Sequence, residues 1–417
     1  MPKDMPGDAA EASSHPLRRL FAAPDFVRLW AVGALANAMR WVEILVAAVF
    51  TFEATGSAFA VSLVAALRAL PMLVAGAAAG ALAEVLDRRR LLMAGQAAVA
   101  AGAFAVAALA WGGRLEVWHL AAANLLGGLA WTGEMAARRR MVTEAAGERD
   151  VVQAVALDST TSNTTRMAGP LLGGLLYGTL GVGAAYALAG ACYAAALALL
   201  TGVRLRQERR RLAARRILAD LADGARVVRR SRVLRAVILV TLGMNLFAFP
   251  FTAVLPALGA AAYGAAPFQI GLLTAAEPAG ALLAGLAMAA RRRRTTLGPA
   301  PMIGGCAGFM LALLALPLMP SLAAAVAVLM LGGVGTALFS ALQTALPVTL
   351  APPEARSRVL GLVTTCIGAG PFGVLAIGAL ADAVGSGRAI WVMAGLGLAA
   401  TAATVWLTRR PVQGGDA

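Results

Sequence analysis

Five ionisable residues stand inside long apolar stretches of the sequence, where a charge needs an explanation. Arg40 and Glu43 are three residues apart, on one face of a helix, and Arg68, Arg166 and Glu277 stand in three other stretches. An isolated charge costs about 2.5–3.5 kcal/mol in hydrocarbon on insertion scales. Arginine can neutralise a carboxylate, and a carboxylate can bind and release a proton. The chemistry open to these residues is ion pairing and proton exchange.

Two interpretations of these charges are open. In the first, they line a polar cavity in which the arginines neutralise acidic groups and Glu43 or Glu277 takes up protons. In the second, they form permanent salt bridges that fix the helix register. Asn163 broadens the polar stripe of Arg166, whereas Asn245 favours an interhelical hydrogen bond over a ligand contact. The candidate substrate-binding or coupling residues are Arg40, Glu43, Arg68, Asn163, Arg166, Asn245 and Glu277.

Further charges lie closer to the ends of their apolar stretches. Glu134 and Asp158 stand near the arginine run 138–140. An ion pair with Arg138 that forms in one conformation and breaks in another would act as a latch. Snorkelling of charges at helix ends explains the same pattern equally well.

The segment 169–174 reads Gly-Pro-Leu-Leu-Gly-Gly. Glycine allows helices to approach closely, and proline loosens the backbone so that a helix can bend. We expect helix packing through Gly169, Pro170, Gly173 and Gly174.

The apolar stretches that carry these residues have the length of membrane-spanning helices. The 417-residue chain is 60% hydrophobic and 14% charged, which is too little charge for the surface of a soluble domain of this size. A helix needs roughly 20 apolar residues to cross the hydrocarbon core of a bilayer. We therefore predict an all-α membrane protein in two pseudo-symmetric six-helix bundles, with twelve transmembrane helices at 27–52, 59–83, 91–112, 117–137, 151–179, 183–203, 234–260, 268–290, 300–319, 321–347, 357–381 and 388–408.

Arginine is concentrated in every second connection between the predicted helices. This asymmetry predicts that both termini and the long basic loop lie in the cytoplasm. The motif of Gly169-Pro170 with Gly173 recurs as Gly370-Pro371 with Gly373, so the two halves resemble each other. The predicted organisation is a tail (1–26), a six-helix bundle (27–203), a basic linker with an interfacial helix (204–233), a second bundle (234–408) and a tail (409–417).

Several functional classes lack their required residues. The net charge of +15 comes from arginines between apolar blocks, which is typical of membrane topology signals and does not indicate a nucleic-acid partner. Lys3 is the single lysine and stands in no glycine-rich turn, so no nucleotide-binding P-loop is present. The three cysteines and two histidines show no metal-ligand spacing. We expect no cofactor, no bound metal and no enzymatic activity.

Residues 55–57 with 68–71, 80–90, 163–174 and 221–234 resemble the major facilitator superfamily. Within it they are similar to the bacterial exporter branch of enterobactin-exporter-like and transmembrane secretion effector proteins. Residues 80–90 stand where the superfamily has the loop signature GxxxDRxGRR, but with Glu84, Val85 and Asp87 in place of its aspartate, a basic residue and a glycine. The resemblance implies a charge latch between helices at this loop. Together with the possible ion pairs described above, the candidate gate or latch residues are Gly80, Glu84, Asp87, Arg88, Glu134, Arg138 and Asp158.

The resemblance implies export of a small molecule driven by an ion gradient, although Arg40 stands where many relatives carry an acidic residue. We expect a monomeric transporter in the bacterial inner membrane that works by alternating access and exchanges its substrate for protons. Its partners would be a small-molecule substrate, protons and the lipid bilayer. Three arginines in a cavity suit an anionic or metal-chelating solute, unless acidic residues match them fully. The alternatives are an uncoupled or uptake-type facilitator of the same fold, and a non-transporting membrane sensor that reuses it.

Overall fold

The computed structural model describes the backbone of residues 16–85, 87–205, 217–290 and 298–409. Within these ranges it describes all side chains except those of 16, 74–85, 136, 217–222, 354 and 409. The described residues form helices and short connections, with no strand among them. The prediction of an all-α protein is confirmed.

Twelve helical spans account for most of the described chain. Spans 1–6 are Pro24–Thr55, Ala58–Val85, Arg88–Trp111, 117–146, 148–180 and 182–201. Spans 7–12 are Arg232–Tyr263, Pro267–Ala290, Pro299–Leu318, Leu322–Leu350, Arg356–Val384 and Ser386–Arg409. Spans 4–6 follow one another without a loop, because Gly147 and Gly181 turn the chain at φ values of 71° and 79° that favour glycine. Span 4 extends about nine residues beyond its predicted end.

Two spans of the second half are interrupted near their middle. Span 7 contains a π-helical turn at Met244–Ala248, which is followed by Pro250. Span 11 consists of the helices Arg356–Ile367 and Gly370–Val384, with Pro371 just after the break. A π-turn and a proline both release backbone hydrogen bonds, so these two helices have a built-in place to bend.

The connections define two ends of the bundle. One end carries the first and last described residues, and the connections after spans 2, 4, 6, 8 and 10 lead through it; these connections bear arginines in the sequence, and we call it the arginine-rich end. The opposite end, with the connections after spans 1, 3, 5, 7, 9 and 11, is the arginine-poor end. A separate apolar core fills each half, one around Val42 and Tyr186 and the other around Phe251 and Phe309.

The two halves repeat the same packing. In the first half, a methyl group added at Gly173 would lie 3.0 Å from the Val42 carbonyl oxygen, so span 5 packs closely on span 1. In the second half, Gly373 of span 11 packs in the same way against Leu246 of span 7. Between the halves, span 5 packs on span 8 and span 11 packs on span 2. Glycine makes each of these close approaches possible because it has no side chain.

Two shorter helices lie at the arginine-rich end. Pro16–Ala22 is joined to the start of span 5 by the Arg19–Asp150 ion pair at 2.6 Å. Ile217–Arg230, within the linker, places Val228 in an apolar cluster with Leu234 and Val359 of the second half. One face of the linker helix therefore packs on protein, and its arginines at 226, 229 and 230 are exposed.

Candidate functional site

An ion pair joins the two halves near the middle of their spans. The Arg166 guanidinium of span 5 donates to Glu277 Oε2 of span 8 at 2.7 Å, and the Thr336 hydroxyl of span 10 donates to Oε1. Glu277 is 1% exposed, whereas the Arg166 side chain is 29% exposed and lies 5.8 Å from the Trp41 ring centroid. The carboxylate is thus enclosed by protein, whereas the Arg166 side chain is partly exposed.

Small residues bring the helices of this pair together. A methyl group at Gly271 would lie 2.5 Å from the Pro170 carbonyl oxygen, and one at Gly174 would lie 2.5 Å from the Pro267 carbonyl oxygen. Span 10 approaches span 8 at Gly333, opposite the Glu277 carbonyl group. Backbone contact between spans 5 and 8 therefore extends from the arginine-poor end to the Arg166–Glu277 pair.

Toward the arginine-rich end, the same face of span 5 becomes exposed. Gly174, Pro170 and Arg166 follow each other at intervals of four residues and face span 8. Because a helix repeats every 3.6 residues, Asn163 and Ser159 continue this stripe, and both are exposed. On span 11, Thr364 continues the face that packs on span 2 and is also exposed. These faces of spans 5 and 11 therefore expose hydroxyl and amide groups toward the arginine-rich end.

A second charged cluster is buried within the first half. Glu43 Oε2 accepts from Arg68 Nη2 at 3.3 Å and from the Tyr193 hydroxyl at 3.0 Å. Arg68 also donates to Asn124 Oδ1 at 3.2 Å. The close approach of spans 2 and 4 at Gly128, which packs on the Arg68 backbone, positions this cluster. Arg68 and Glu277 occupy corresponding places in the two halves, since Gly128 of span 4 and Gly333 of span 10 pack against their carbonyl groups.

The third cluster lies closer to the arginine-rich end. Glu134 of span 4 accepts from Arg40 Nη2 of span 1 at 3.3 Å and from Arg138 Nε at 3.0 Å. Arg138 also pairs with Asp158 of span 5 at 2.7 Å. Arg40 is placed 4.9 Å from the Trp131 ring centroid. The structure thus brings together Glu134, Arg138 and Asp158, which the sequence grouped as a latch, and adds Arg40 to them.

Arg40 and Glu43 pair with different spans although they are neighbours on span 1. Arg40 reaches Glu134 of span 4, and Glu43 reaches Arg68 of span 2. The three arginines expected in a cavity are each matched by a carboxylate, with Arg166 bound to Glu277. No unpaired arginine remains among these three to attract an anionic solute.

The segment from the end of span 2 to the start of span 3 holds four candidate residues, and side chains are described for Asp87 and Arg88. The Asp87 carboxylate caps span 3 by accepting from the Arg90 amide at 3.0 Å. Arg88 pairs with Glu144 of span 4 at 2.8 Å. Gly80 and Glu84 lie in 74–85, where the backbone is described but side-chain contacts lie outside the described residues. In this structure the described part of the loop binds within the first half.

Two other groups of candidates have mainly helix-to-helix contacts. Asn245 donates to the Thr241 carbonyl oxygen of its own helix at 2.9 Å, within the π-turn of span 7. Gly169 packs on Trp41 and Gly173 on Val42, both of span 1, whereas Pro170 and Gly174 contact span 8. The motif therefore fastens span 5 to a helix of its own half and to one of the other half.

Sequence reasoning missed the uncharged partners of the buried carboxylates. Tyr193, Asn124 and Thr336 stand in apolar stretches where nothing in their spacing distinguishes them from packing residues. Glu144 could have been found, since it lies four residues after Arg140 and pairs with it at 3.3 Å.

The sequence is similar to known drug exporters. It is 31% identical to the multidrug efflux pump Tap of Mycolicibacterium fortuitum over 364 residues, covering 84% of this chain and 87% of the relative. It is 28% identical to the multidrug efflux pump Tap of Mycobacterium tuberculosis (strain ATCC 25618 / H37Rv) over 383 residues, covering 88% and 90%. Both alignments span nearly the whole of each protein.

The fold is that of solved transporters. A bacterial homologue of the human lysosomal transporter Spinster, in an inward-facing and unoccupied conformation, matches with a TM-score of 0.68 at 14% identity, covering 92% of this chain and 94% of that one. The nucleoside transporter NupG matches with a TM-score of 0.71 at 12% identity, covering 93% and 100%. At these identities the likeness concerns the fold alone.

Residues 15–416 match the family described as transmembrane secretion effector. The chain therefore belongs to this family of the major facilitator superfamily and is a multi-pass membrane transport protein.

Proposed function

We propose that this chain exports drug-like small molecules by proton-coupled antiport, with its two halves rocking about the Arg166–Glu277 pair. The observation that carries the proposal is the position of this pair. It joins the halves at the depth where their contact ends and an exposed polar stripe begins. A ligand or proton that binds at this place therefore changes the contact between the halves directly.

The pair can act as a lock on the empty transporter. Antiport requires that a carrier without substrate or proton does not change its facing direction, because such a step would dissipate the gradient. When Glu277 is charged, its bond to Arg166 holds the halves in the present arrangement. A proton on Glu277 removes the charge and frees Arg166, and a substrate that binds beside Arg166 competes for the same contacts. Either ligand then permits the halves to rock.

The residues around the proposed substrate path favour an uncharged or amphipathic solute over an anion. Arg40, Arg68 and Arg166 are matched by carboxylates, so an added anion would lack a free cationic partner. Ser159, Asn163 and Thr364 offer hydroxyl and amide groups, and Trp41 offers an aromatic surface beside Arg166. The names of the Tap relatives support multidrug efflux as the activity.

We further propose that the arginine-rich end faces the cytoplasm of a bacterial cell, with the chain in the inner membrane. The arginine-bearing connections support this orientation. The present structure then represents the inward-open state, since the exposed stripe lies toward the arginine-rich end.

We assign the first six-helix unit to 27–203, the linker to 204–233 and the second unit to 234–408. The proposal treats the monomer as the working unit, and it involves no covalent chemistry, cofactor, metal or nucleic acid.

Flux in proteoliposomes tests the function. Purified protein is reconstituted, and a fluorescent drug such as ethidium is followed with and without an imposed pH gradient and an ionophore that collapses it. The proposal predicts accumulation that depends on the gradient. Equal equilibration with and without the gradient would indicate an uncoupled facilitator, and the absence of any solute flux would favour a membrane sensor.

A further inference from the structure

We infer that Asp382 is a positioning residue of the transport cycle, because it holds the arginine-poor end closed by capping a helix of the opposite half. This inference rests on the proposed alternating access. Asp382 lies in the last turns of span 11, in the second half. Its Oδ1 accepts from the Ala58 amide at 2.7 Å, and its Oδ2 accepts from the Ser57 hydroxyl at 2.5 Å. Both donors lie at the start of span 2, in the first half.

The charge of Asp382 is unfavourable in its own helix and favourable at its neighbour. A helix carries partial negative charge at its C-terminus, and Asp382 stands three residues before Gly385, where its helix ends. The start of span 2 carries partial positive charge and unpaired amides, which bind a carboxylate well. The favourable interaction, between the Asp382 carboxylate and the start of span 2, exists only while spans 2 and 11 are in contact.

Two backbone amides in the first turn of span 2 are capped by different side chains. Ser57 accepts from the Ala60 amide at 3.0 Å within the helix, and Asp382 accepts from the Ala58 amide across the halves. Span 8 occupies the corresponding position in the second half, yet it is capped locally, since Gln269 Oε1 accepts from the Ala266 amide at 2.8 Å. Of these two corresponding helices, span 2 is the one that is capped from the opposite half.

The surrounding packing brings the capping residues into register. Gly378, one turn before Asp382, lies directly against Ser62 and Ala58 of span 2. At the same end, Leu45 and Val49 of span 1 form an apolar cluster with Ala265 and Ile270 of the second half. When the halves separate at this end, the Ala58 amide loses its cap and Asp382 loses its donors. Substrate or proton binding has to offset this loss before the transporter opens here.

Cysteine accessibility tests the inference. Ala265→Cys, in a background with Cys192, Cys306 and Cys366 replaced by serine, places a thiol in the closed cluster, where it is 9% exposed in the present structure. The rate of labelling by a membrane-impermeant maleimide reports opening of the arginine-poor end. We expect Asp382→Ala to raise this rate about fivefold, the change expected for the loss of one helix cap.

Two further variants and a matched control support the assignment. Asp382→Asn keeps an acceptor oxygen but loses the charge, so its labelling rate should lie between those of the parent and Asp382→Ala. Ser57→Ala removes the hydroxyl donor and should also raise the rate. Glu116→Gln changes a carboxylate at the same end that accepts from Trp118 Nε1 at 2.9 Å within the first half, and it should leave the rate unchanged.

The result separates the inference from the proposed function. If the parent protein is labelled faster on acidification but Asp382→Ala behaves like the parent, the capping role is wrong and alternating access stands. If the parent's rate never changes with pH or drug, and no flux occurs, the proposed function fails. An equal increase in Asp382→Ala and Glu116→Gln would show a loss of general stability and would also overturn the capping role.

Discussion

In the proposed cycle, the charge of Glu277 is either compensated by Arg166 or removed by a bound proton. These two states exclude each other, because a protonated Glu277 no longer attracts the guanidinium as a charge. A carboxylate that is either paired with an arginine or protonated can convert proton binding into the loss of a contact between helices. Glu43 has a cationic partner too, but it lies within one half, so its protonation would leave the contact between the halves unchanged.

We predict that Glu277→Gln separates transport from the proton gradient. Glutamine keeps an acceptor oxygen but carries no charge, so it holds Arg166 less strongly and the empty transporter can rock. Drug should equilibrate across proteoliposomes, but the accumulation driven by a pH gradient should fall at least about tenfold, as expected if the contact contributes about 1.4 kcal/mol or more to the lock. Flux assays with both driving conditions measure the two activities. Glu53→Gln, which changes a carboxylate bound by Tyr177 within the first half, is the control.

The Glu43–Arg68 pair provides a prediction on stability. Removal of one partner from a buried pair leaves the other charge without compensation and costs about 3–5 kcal/mol. Glu43→Gln and Arg68→Met should each lower thermal stability in detergent, and the double variant should lose less than the sum of the two. A double-mutant cycle of apparent unfolding temperatures measures the coupling. Strict additivity would contradict the pairing.

The ionisable candidates could be found from the sequence, but their partners could not. A charge in an apolar stretch is conspicuous, and this is why Arg40, Glu43 and Glu277 were selected. Which carboxylate an arginine meets depends on the rotation of each helix and on which spans are neighbours. Arg40 and Glu43 illustrate this, since residues on one face of span 1 reach spans 4 and 2.

At the level of the helices, span 5 connects the two halves. Its glycines face span 1 at Gly169 and Gly173 and face span 8 at Gly174, so a single helix contacts its own half and the other half. If the halves rock as proposed, the contact with span 8 needs close backbone approach in the present state and separation in the other. A small added side chain should therefore favour the separated state.

We predict that Gly174→Ala opens the arginine-poor end. Its methyl group would lie 2.5 Å from the Pro267 carbonyl oxygen and 2.9 Å from Phe268 Cα, so spans 5 and 8 must move apart. Gly178→Ala is a matched control on the same helix, because its methyl group meets Pro267 Cβ at an ordinary 3.8 Å. Both changes gain the same helix propensity, about 1 kcal/mol. Faster maleimide labelling of Ala265→Cys in the Gly174 variant alone is expected; equal rates in both would refute the close contact.

The glycine-proline motif was recognisable in the sequence, but the division of its contacts was not. Spacing shows that Gly169 and Gly173 share a face, and it does not show which helix that face meets. The π-turn of span 7 was not predicted either, because Met244–Ala248 has an ordinary apolar composition. Its position before Pro250 becomes visible only with the backbone.

At the scale of the whole molecule, the long helices could be predicted from elementary solvation, and the two halves from the recurring Gly-Pro motif. Every backbone amide must be satisfied in hydrocarbon, so long apolar stretches become helices, and their number sets the fold class. The arrangement of the halves is less accessible, since one sequence supports both facing states. The present state is recognised from contacts made at the arginine-poor end and exposed side chains toward the other end.

Spin-label distances at both ends test the central claim most directly. In the cysteine-free background, one pair is placed at Val152 and Val348 near the arginine-rich end, and another at Leu180 and Leu318 near the arginine-poor end. All four positions are exposed. We predict that acidification shortens the first distance and lengthens the second in a new population, and that Glu277→Gln populates both states at every pH. Distances that stay unchanged, or that rise or fall together at both ends, would contradict rocking about the Arg166–Glu277 pair.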